Sequence, residues 1–242
     1  MDIKDFITEL VAVPGVSGYE ERIARIISKA FNPYCQEVKT DAFFNVYGRK
    51  TDGQGENIPK VMLAAHMDEI GLMVTDIDES GFIRFTNIGG VDPRILPGQE
   101  VEIHGKEKLF GVIGAKPPHL QGMEDAKKAI KMQDMAIDVG LSAERARELI
   151  KIGDIITFVS PLVELKGSMV SGKSLDDRAG VATLLATMKE LDKLRFCADV
   201  YFVATVQEEV GVRGAVISAY RLNPVIGIAI DVGFGSTPEL PK

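Results

Sequence analysis

The chain has 242 residues, 45% of them hydrophobic and 26% charged, a balance typical of a globular protein with a sizeable core. Its formal net charge of -7 excludes nucleic acid and anionic membranes as expected partners, because an acidic surface attracts neither. The two cysteines, Cys35 and Cys197, are far apart in sequence and form neither a disulfide framework nor a metal-binding motif, which indicates a reducing compartment.

The amino-terminal segment predicts a helix rather than a signal peptide. Acidic residues interrupt its apolar positions Ile3, Phe6, Ile7 and Leu10, which recur at helical spacing. No apolar run reaches the roughly 18 residues that a transmembrane helix needs. We therefore expect a cytoplasmic protein.

A second helix is predicted after the turn at Pro14 and Gly15, and a capping box from Ser17 to Glu20 would begin it. Its apolar stripe consists of Tyr19, Ile23, Ile26 and Ile27. The sequence becomes extended from residue 37, and the apolar run VMLAA at residues 61–65 predicts a strand covered on both faces.

The middle of the chain, residues 69–165, predicts an inserted β-rich domain. Short apolar segments alternate there with Gly and Pro turns, as in a small antiparallel barrel, and one helix is predicted near residues 142–150.

Helices and strands alternate again from residue 173 onward, a pattern that predicts an α/β sheet. The predicted elements are helices at 174–191 and 215–222 and strands at 200–206 and 225–230. The fold class is therefore an α/β domain, formed by residues 1–68 and 166–242, which the β-rich domain interrupts.

Polar residues stand where the buried strands end. His66 follows VMLAA, Glu208 and Glu209 come just after VYFVATV, and Asp231 follows VIGIAI. The pair Asp176 and Asp177 lies in the turn that opens a helix. Because ligands bind outside the carboxyl ends of the strands in an open α/β sheet, we expect one histidine and five carboxylates to meet at one edge.

Such a cluster indicates bound cations, since carboxylates crowded without compensation repel one another and protonate. One imidazole among several oxygens suits zinc, cobalt or manganese better than calcium or magnesium. A carboxylate shared by two ions would make a two-metal hydrolytic site, with another carboxylate left free as general base.

Each of these residues could also have a purely structural role. His66 could pack in a loop, Glu208 and Glu209 could form a solvated turn, and Asp231 could be a turn residue. Acids such as Asp176 commonly cap helix amino termini. The metal site is favoured because these explanations would all have to hold at the ends of successive elements.

Five segments in order, AHMDEIGLMV, GVIGAKPPHL, KSLDDRAGVA, ATVQEEVGVRGA and AIDVG, resemble the tetrahedral metallo-aminopeptidases. This family includes glutamyl and deblocking aminopeptidases and is often labelled endoglucanase. The resemblance implies a mixed-sheet, zinc-peptidase-like catalytic domain with an inserted barrel-like domain. It also implies assembly into hollow dodecamers that admit unfolded peptides.

The resemblance further implies a role for each residue at the strand ends. His66 and Asp231 correspond to ligands of one metal ion, Glu209 to a ligand of the other, and Asp176 to the bridging carboxylate. Asp68 corresponds to the residue that orients the imidazole. Glu208 corresponds to the general base, and Asp177 to a residue that helps to position Asp176.

The implied reaction is the removal of amino-terminal residues from short peptides by a metal-activated water, with two divalent ions per site. The family's fifth ligand, a histidine near the carboxyl terminus, has no counterpart before Lys242, so two protein ligands are expected at the Glu209 site. His104 and His119 match positions that are not ligands in the family.

Two other functions stay open at this stage. A shortened, catalytically impaired family member could have a structural or assembly role. A glycoside hydrolase would need carboxylates flanking a sugar cleft, usually with aromatic platforms, whereas this chain has no Trp and 7% aromatic residues.

Overall fold

The structure is a computed structural model that describes residues 2–52, 58–115 and 129–235. It contains a mixed α/β sheet and a closed antiparallel barrel, which confirms the predicted fold class. Two compact units are present: Met1–Glu69 with Pro161–Lys242, and Ile70–Ser160. The domain boundaries predicted from the sequence stay a prediction.

The first unit is built on a five-stranded sheet with the order β1-β2-β12-β3-β13. The parallel neighbours are β12 with β3 and β3 with β13, whereas β1, β2 and β12 pair antiparallel. The strands are β1 (Glu37–Thr40), β2 (Val46–Thr51), β3 (Lys60–His66), β12 (Asp199–Thr205) and β13 (Ile226–Ala229).

Helices flank this sheet because its central strands are apolar on both faces. Along β12, Phe202 and Ala204 face a core formed with α1, α2 and α4, whereas Val203 faces the opposite side with Leu222 of α5. The helices are α1 (Ile3–Val11), α2 (Glu21–Phe31), α4 (Leu175–Leu191) and α5 (Arg213–Leu222).

The predicted capping box of α2 is wrong. Glu20 itself is the N-cap residue and makes no capping bond with its side chain. The Ser17 hydroxyl instead donates to Asp68 at 2.5 Å, and the Glu20 carboxylate accepts from Gln207. Both side chains are thus engaged by parts of the chain that are distant in sequence, which local sequence rules do not consider.

The second unit is a closed barrel with the strand order β4-β5-β8-β7-β6-β9. One of these strands, β8, lies in a stretch for which the sequence predicts no strand. The helix expected near residues 142–150 is present as α3 (Ala143–Leu149). The strands are β4 (Gly71–Ile77), β5 (Ile83–Ile88), β6 (Glu100–His104), β7 (Lys108–Ala115), β8 (Met135–Asp138) and β9 (Ile155–Phe158).

A short hairpin precedes α4 and was also not predicted from the sequence. Its strands are β10 (Val163–Leu165) and β11 (Met169–Ser171), which pair antiparallel. Within the described ranges, no helix combines the length and the apolar character that crossing a lipid bilayer requires.

The core of the first unit gives a stability prediction. Phe202 is fully buried between the sheet and the helices, whereas Phe43 is 53% exposed. We expect Phe202→Ala to lower the free energy of unfolding by about 3–5 kcal/mol, because it removes apolar burial and leaves a cavity. Phe43→Ala is the matched control and should change it by less than about 1 kcal/mol. Urea unfolding of the purified variants measures both, and equal effects would contradict this packing.

Candidate active site

The candidate site lies at the carboxyl edge of the central sheet. His66 of β3 pairs with Thr205 of β12, so the two parallel strands end side by side. The backbone continues this alignment, since Met67 N donates to Thr205 O at 2.9 Å and Ile230 N donates to Ala64 O at 2.8 Å. Residues that follow β3, β12 and β13 therefore emerge at the same edge.

His66, Asp176 and Asp231 form one group of potential metal ligands. One ligand atom from each lies within 4.8 Å of the others. The Nε2 atom of His66 is 3.0 Å from Asp176 Oδ1. His66 is buried, whereas both aspartates are exposed. An ion held here could therefore also contact a ligand from solvent.

A second group consists of His66, Glu208 and Glu209, again with one ligand atom each within 4.8 Å of the others. Glu208 Oε2 is 3.8 Å from His66 Nε2. The second ion predicted from the sequence would instead use Asp176 and Glu209. The geometry brings both glutamates to the histidine, and it does not assign ligand and base between them.

Asp68 is fully buried and connects the histidine to the glutamates. Its Oδ1 is 3.4 Å from His66 Nδ1, and its backbone carbonyl oxygen is 3.2 Å from the same nitrogen. Its carboxylate also accepts the N–H groups of Glu208 and Glu209. Burial alone would raise the pKa of Asp68, but hydrogen bonds from His66, Ser17 and Glu208 lower it, so the carboxylate is ionised.

Asp177 is also fully buried, directly after Asp176 across a cis peptide bond. Its carboxylate accepts the backbone N–H of His66 at 3.3 Å and that of Gly180 at 3.0 Å. It therefore links the end of β3 to the first turn of α4, which carries Asp176. Burial, together with the charge of Asp231, raises the pKa of Asp177 to about 7.

The crowded carboxylates of the site favour positive charge at His66. Burial alone would lower the pKa of His66, but the hydrogen bond and charge of Asp68, with Asp177 and Glu208, raise it to about 9. Burial and the charge of Asp176 raise the pKa of Glu209 to about 7. Burial and the charges of neighbouring acids together cause the raised pKa values of Glu209 and Asp177, and a divalent ion bound here would neutralise those charges.

The other histidines lie elsewhere. His104 is in the barrel, where its Nε2 is 2.8 Å from Thr157 Oγ1, and neither ligand group of the described residues includes it. His119 lies outside the described residues.

Comparison with known proteins identifies the family. The family model of the M42 glutamyl aminopeptidases matches residues 45–240. The chain belongs to this M42 family. It is 36% identical over 240 residues to the lysyl aminopeptidase of Pyrococcus furiosus, covering 97% of this chain and 68% of the relative. The resemblance noted in the sequence is thereby confirmed.

Solved structures of M42-like peptidases have the same fold. An aminopeptidase from the archaeon Desulfurococcus kamchatkensis superposes with a TM-score of 0.91 at 36% identity, covering 99% of this chain and 66% of that one. The Pyrococcus horikoshii TET1 peptidase is described as assembling into a tetrahedron or a large octahedral shell. It superposes with a TM-score of 0.84 at 40% identity, and the match covers 95% of this chain and 68% of that one. The chain thus spans about two thirds of the length of these relatives.

Sequence reasoning missed a buried ionic cluster that lies beside the candidate site. Glu69 accepts hydrogen bonds from Gly15 N at 3.0 Å and Lys173 Nζ at 2.6 Å, and Arg178 Nη2 lies 3.2 Å from its Oε1. Arg178 also donates to the carbonyl oxygen of Met67, between His66 and Asp68. In the sequence, the one indication of this cluster is that Glu69 directly follows Asp68 and Arg178 directly follows Asp177.

Glu20 was missed as well, because its place in a predicted capping box explained it locally. It is 1% exposed and accepts from Gly18 N at 2.8 Å and Gln207 N at 3.1 Å. Burial raises its pKa to about 7.

The raised pKa values predict how the stability of the metal-free chain depends on pH. Glu20, Asp177 and Glu209 retain protons in the folded state to about pH 7, and His66 to about pH 9. Each group stabilises the fold below its unfolded pKa, and this contribution is lost as the pH rises through the folded value. We therefore expect the free energy of unfolding to fall between about pH 5 and pH 9 in chelator.

Saturating manganese should remove the part of this decline that arises from His66 and Glu209, because the ion replaces the protons on these ligands. The part that arises from Glu20, which is not a ligand, should remain. Urea unfolding at several pH values, with chelator and with manganese, measures both curves. Parallel curves in the two conditions would contradict a metal site at these residues.

Proposed function

We propose that this chain is a metal-dependent aminopeptidase that removes amino-terminal residues from short peptides. One observation carries the proposal: two adjacent glutamates, Glu208 and Glu209, lie beside the buried His66 at the edge of the sheet. Membership of the M42 family supports the reaction class.

Two divalent ions, zinc, cobalt or manganese, would fit the donors present. His66, Asp176 and Asp231 would hold one ion, and Asp176 with Glu209 would hold the other. Asp68 would keep the imidazole oriented, since its carboxylate lies beside His66 Nδ1 while Nε2 faces Asp176. An imidazole with several carboxylates is a ligand set that these metals accept.

Glu208 would be the general base. Bound ions of this kind polarise a scissile carbonyl and lower the pKa of water. The Glu208 side chain is 32% exposed and so can reach both water and substrate. It would accept the proton of the attacking water and deliver it to the departing amine.

A free amino terminus suits this edge of the sheet. The α-amine of a peptide is largely protonated at neutral pH, and an acidic side chain that is not a metal ligand, such as Glu208, would provide the opposite charge. Internal peptide segments lack this positive charge, so the electrostatics favour the end of a chain over its middle.

We also infer that the protein forms homo-oligomers, with a dodecamer as the expected state. The assembly described for the TET1 peptidase supports this inference. A cytoplasmic location stays a proposal, which the free thiols of Cys35 and Cys197 support. The glycoside hydrolase alternative is not favoured, because the family is one of aminopeptidases and the sequence has no Trp.

The general-base role predicts the effect of Glu208→Gln. We expect the variant to lose at least about a hundredfold in kcat, because the amide cannot take a proton from water. Its metal content, measured by elemental analysis after removal of loose ions, should equal that of the unaltered chain. Glu190→Gln, an exposed glutamate on α4, is the matched control and should keep full activity. Turnover by Glu208→Gln at the unaltered rate would remove Glu208 from this role.

The aminopeptidase activity predicts a dependence on the free amine. We expect a short peptide to be shortened from its amino end after manganese or cobalt is added, and its acetylated form to resist, because acetylation removes the positive charge. Mass spectrometry of the products measures both. Absence of hydrolysis by the metal-loaded chain would favour the structural or assembly role instead.

A further inference from the structure

The segment that carries the two glutamates is held by side chains from other parts of the chain. We call residues 206–209 the tip segment. Each of its four backbone N–H groups donates to a buried side-chain oxygen. The acceptors are Asn45 for Val206, Glu20 for Gln207, and Asp68 for both Glu208 and Glu209.

The tip segment has an unfavourable backbone at one residue. Gln207 has φ 54, in the left-handed region that residues with a Cβ atom rarely adopt. Strain of this kind persists only where the surroundings hold the backbone in place. The N–H of this same residue donates to Glu20 Oε1 at 3.1 Å.

Among the described residues, the Glu20 carboxylate accepts hydrogen bonds from backbone N–H groups. It stands at the N-cap of α2 without making a side-chain cap bond, and it is 1% exposed. Its hydrogen bonds are with Gly18 N, two residues away, and with Gln207 N, on the tip segment. Holding a carboxyl group in such a place costs free energy, and its hydrogen bond with Gln207 N is the contact that joins it to the tip segment.

We propose that Glu20 is a positioning residue for the reaction: it fixes the left-handed backbone of Gln207 and thereby sets the direction of the Glu208 and Glu209 side chains. This inference rests on the proposed function for its effect on turnover. Its effect on the backbone of the tip segment is independent of turnover and can be measured separately.

Substitutions at Glu20 test the proposal in kinetics. Glu20→Ala should lower kcat about tenfold to a hundredfold with KM changed less than threefold, because the base is displaced while the substrate contacts stay. Glu20→Gln should keep most of the kcat of the unaltered chain, since its amide oxygen can accept the N–H of Gln207. Glu21→Gln is the matched control, because the neighbouring Glu21 is exposed and pairs with Arg25.

A second substitution separates positioning from simple stabilisation. Gln207→Gly should restore part of kcat in the Glu20→Ala background, because glycine adopts a positive φ without strain. If Glu20→Ala does not fold, Glu20→Asp replaces it, since the shorter side chain keeps the carboxyl group but withdraws from Gln207. Normal kcat in the folded variant, or a loss of kcat explained by lost metal, would overturn the proposal.

Hydrogen exchange tests the backbone effect without relying on activity. In Glu20→Ala or Glu20→Asp, amide exchange measured by mass spectrometry should become at least tenfold faster in peptides that contain residues 206–209. Exchange in the barrel strands should not change. Unchanged exchange in the tip segment would overturn the proposal. If the unaltered chain has no peptidase activity, the proposed function fails, and the exchange result alone decides the role of Glu20.

Discussion

The buried carboxylate of Asp68 joins three segments of the chain that are far apart in sequence. It lies beside His66 Nδ1, accepts the hydroxyl of Ser17, and accepts the backbone N–H groups of Glu208 and Glu209. A carboxylate can be buried only if such partners replace the water that it loses. The histidine, the turn before α2 and the tip segment are therefore mutually dependent, and the geometry of the site depends on this one group.

A second buried network surrounds the loop that follows β3. Arg178 is fully buried and donates to the carbonyl oxygens of Leu10, Val13 and Met67, while Glu69 neutralises it. Gly15 is required in this packing, because a Cβ atom there would lie 2.8 Å from Arg178 Nη2. The end of α1, the loop after β3 and the start of α4 are thus joined by charge-assisted hydrogen bonds, which are stronger than neutral ones.

The electrostatics of the site follow from this framework. The surrounding backbone and side chains hold several carboxylates close to one imidazole, at distances where they would otherwise repel one another. The raised pKa values of Asp177 and Glu209 express that repulsion together with burial. A framework that resists this repulsion would be preorganised for cations, because the ligands are already held close together.

The sequence by itself determined most of the helices and strands and the edge at which chemistry is expected. The apolar runs before His66, Glu208 and Asp231 predict strands covered on both faces. This prediction holds for β12, whose residues are nearly all buried, but it is wrong for β13, whose four residues are exposed at the edge of the described sheet. Only the tertiary structure decided which side chains hold this edge together. Ser17 and Glu20 fit a capping box by local rules, yet they bond to Asp68 and Gln207, which are 51 and 187 residues away. Local propensity is weaker than the demand of buried polar groups for partners, and those partners are defined only when the chain is folded.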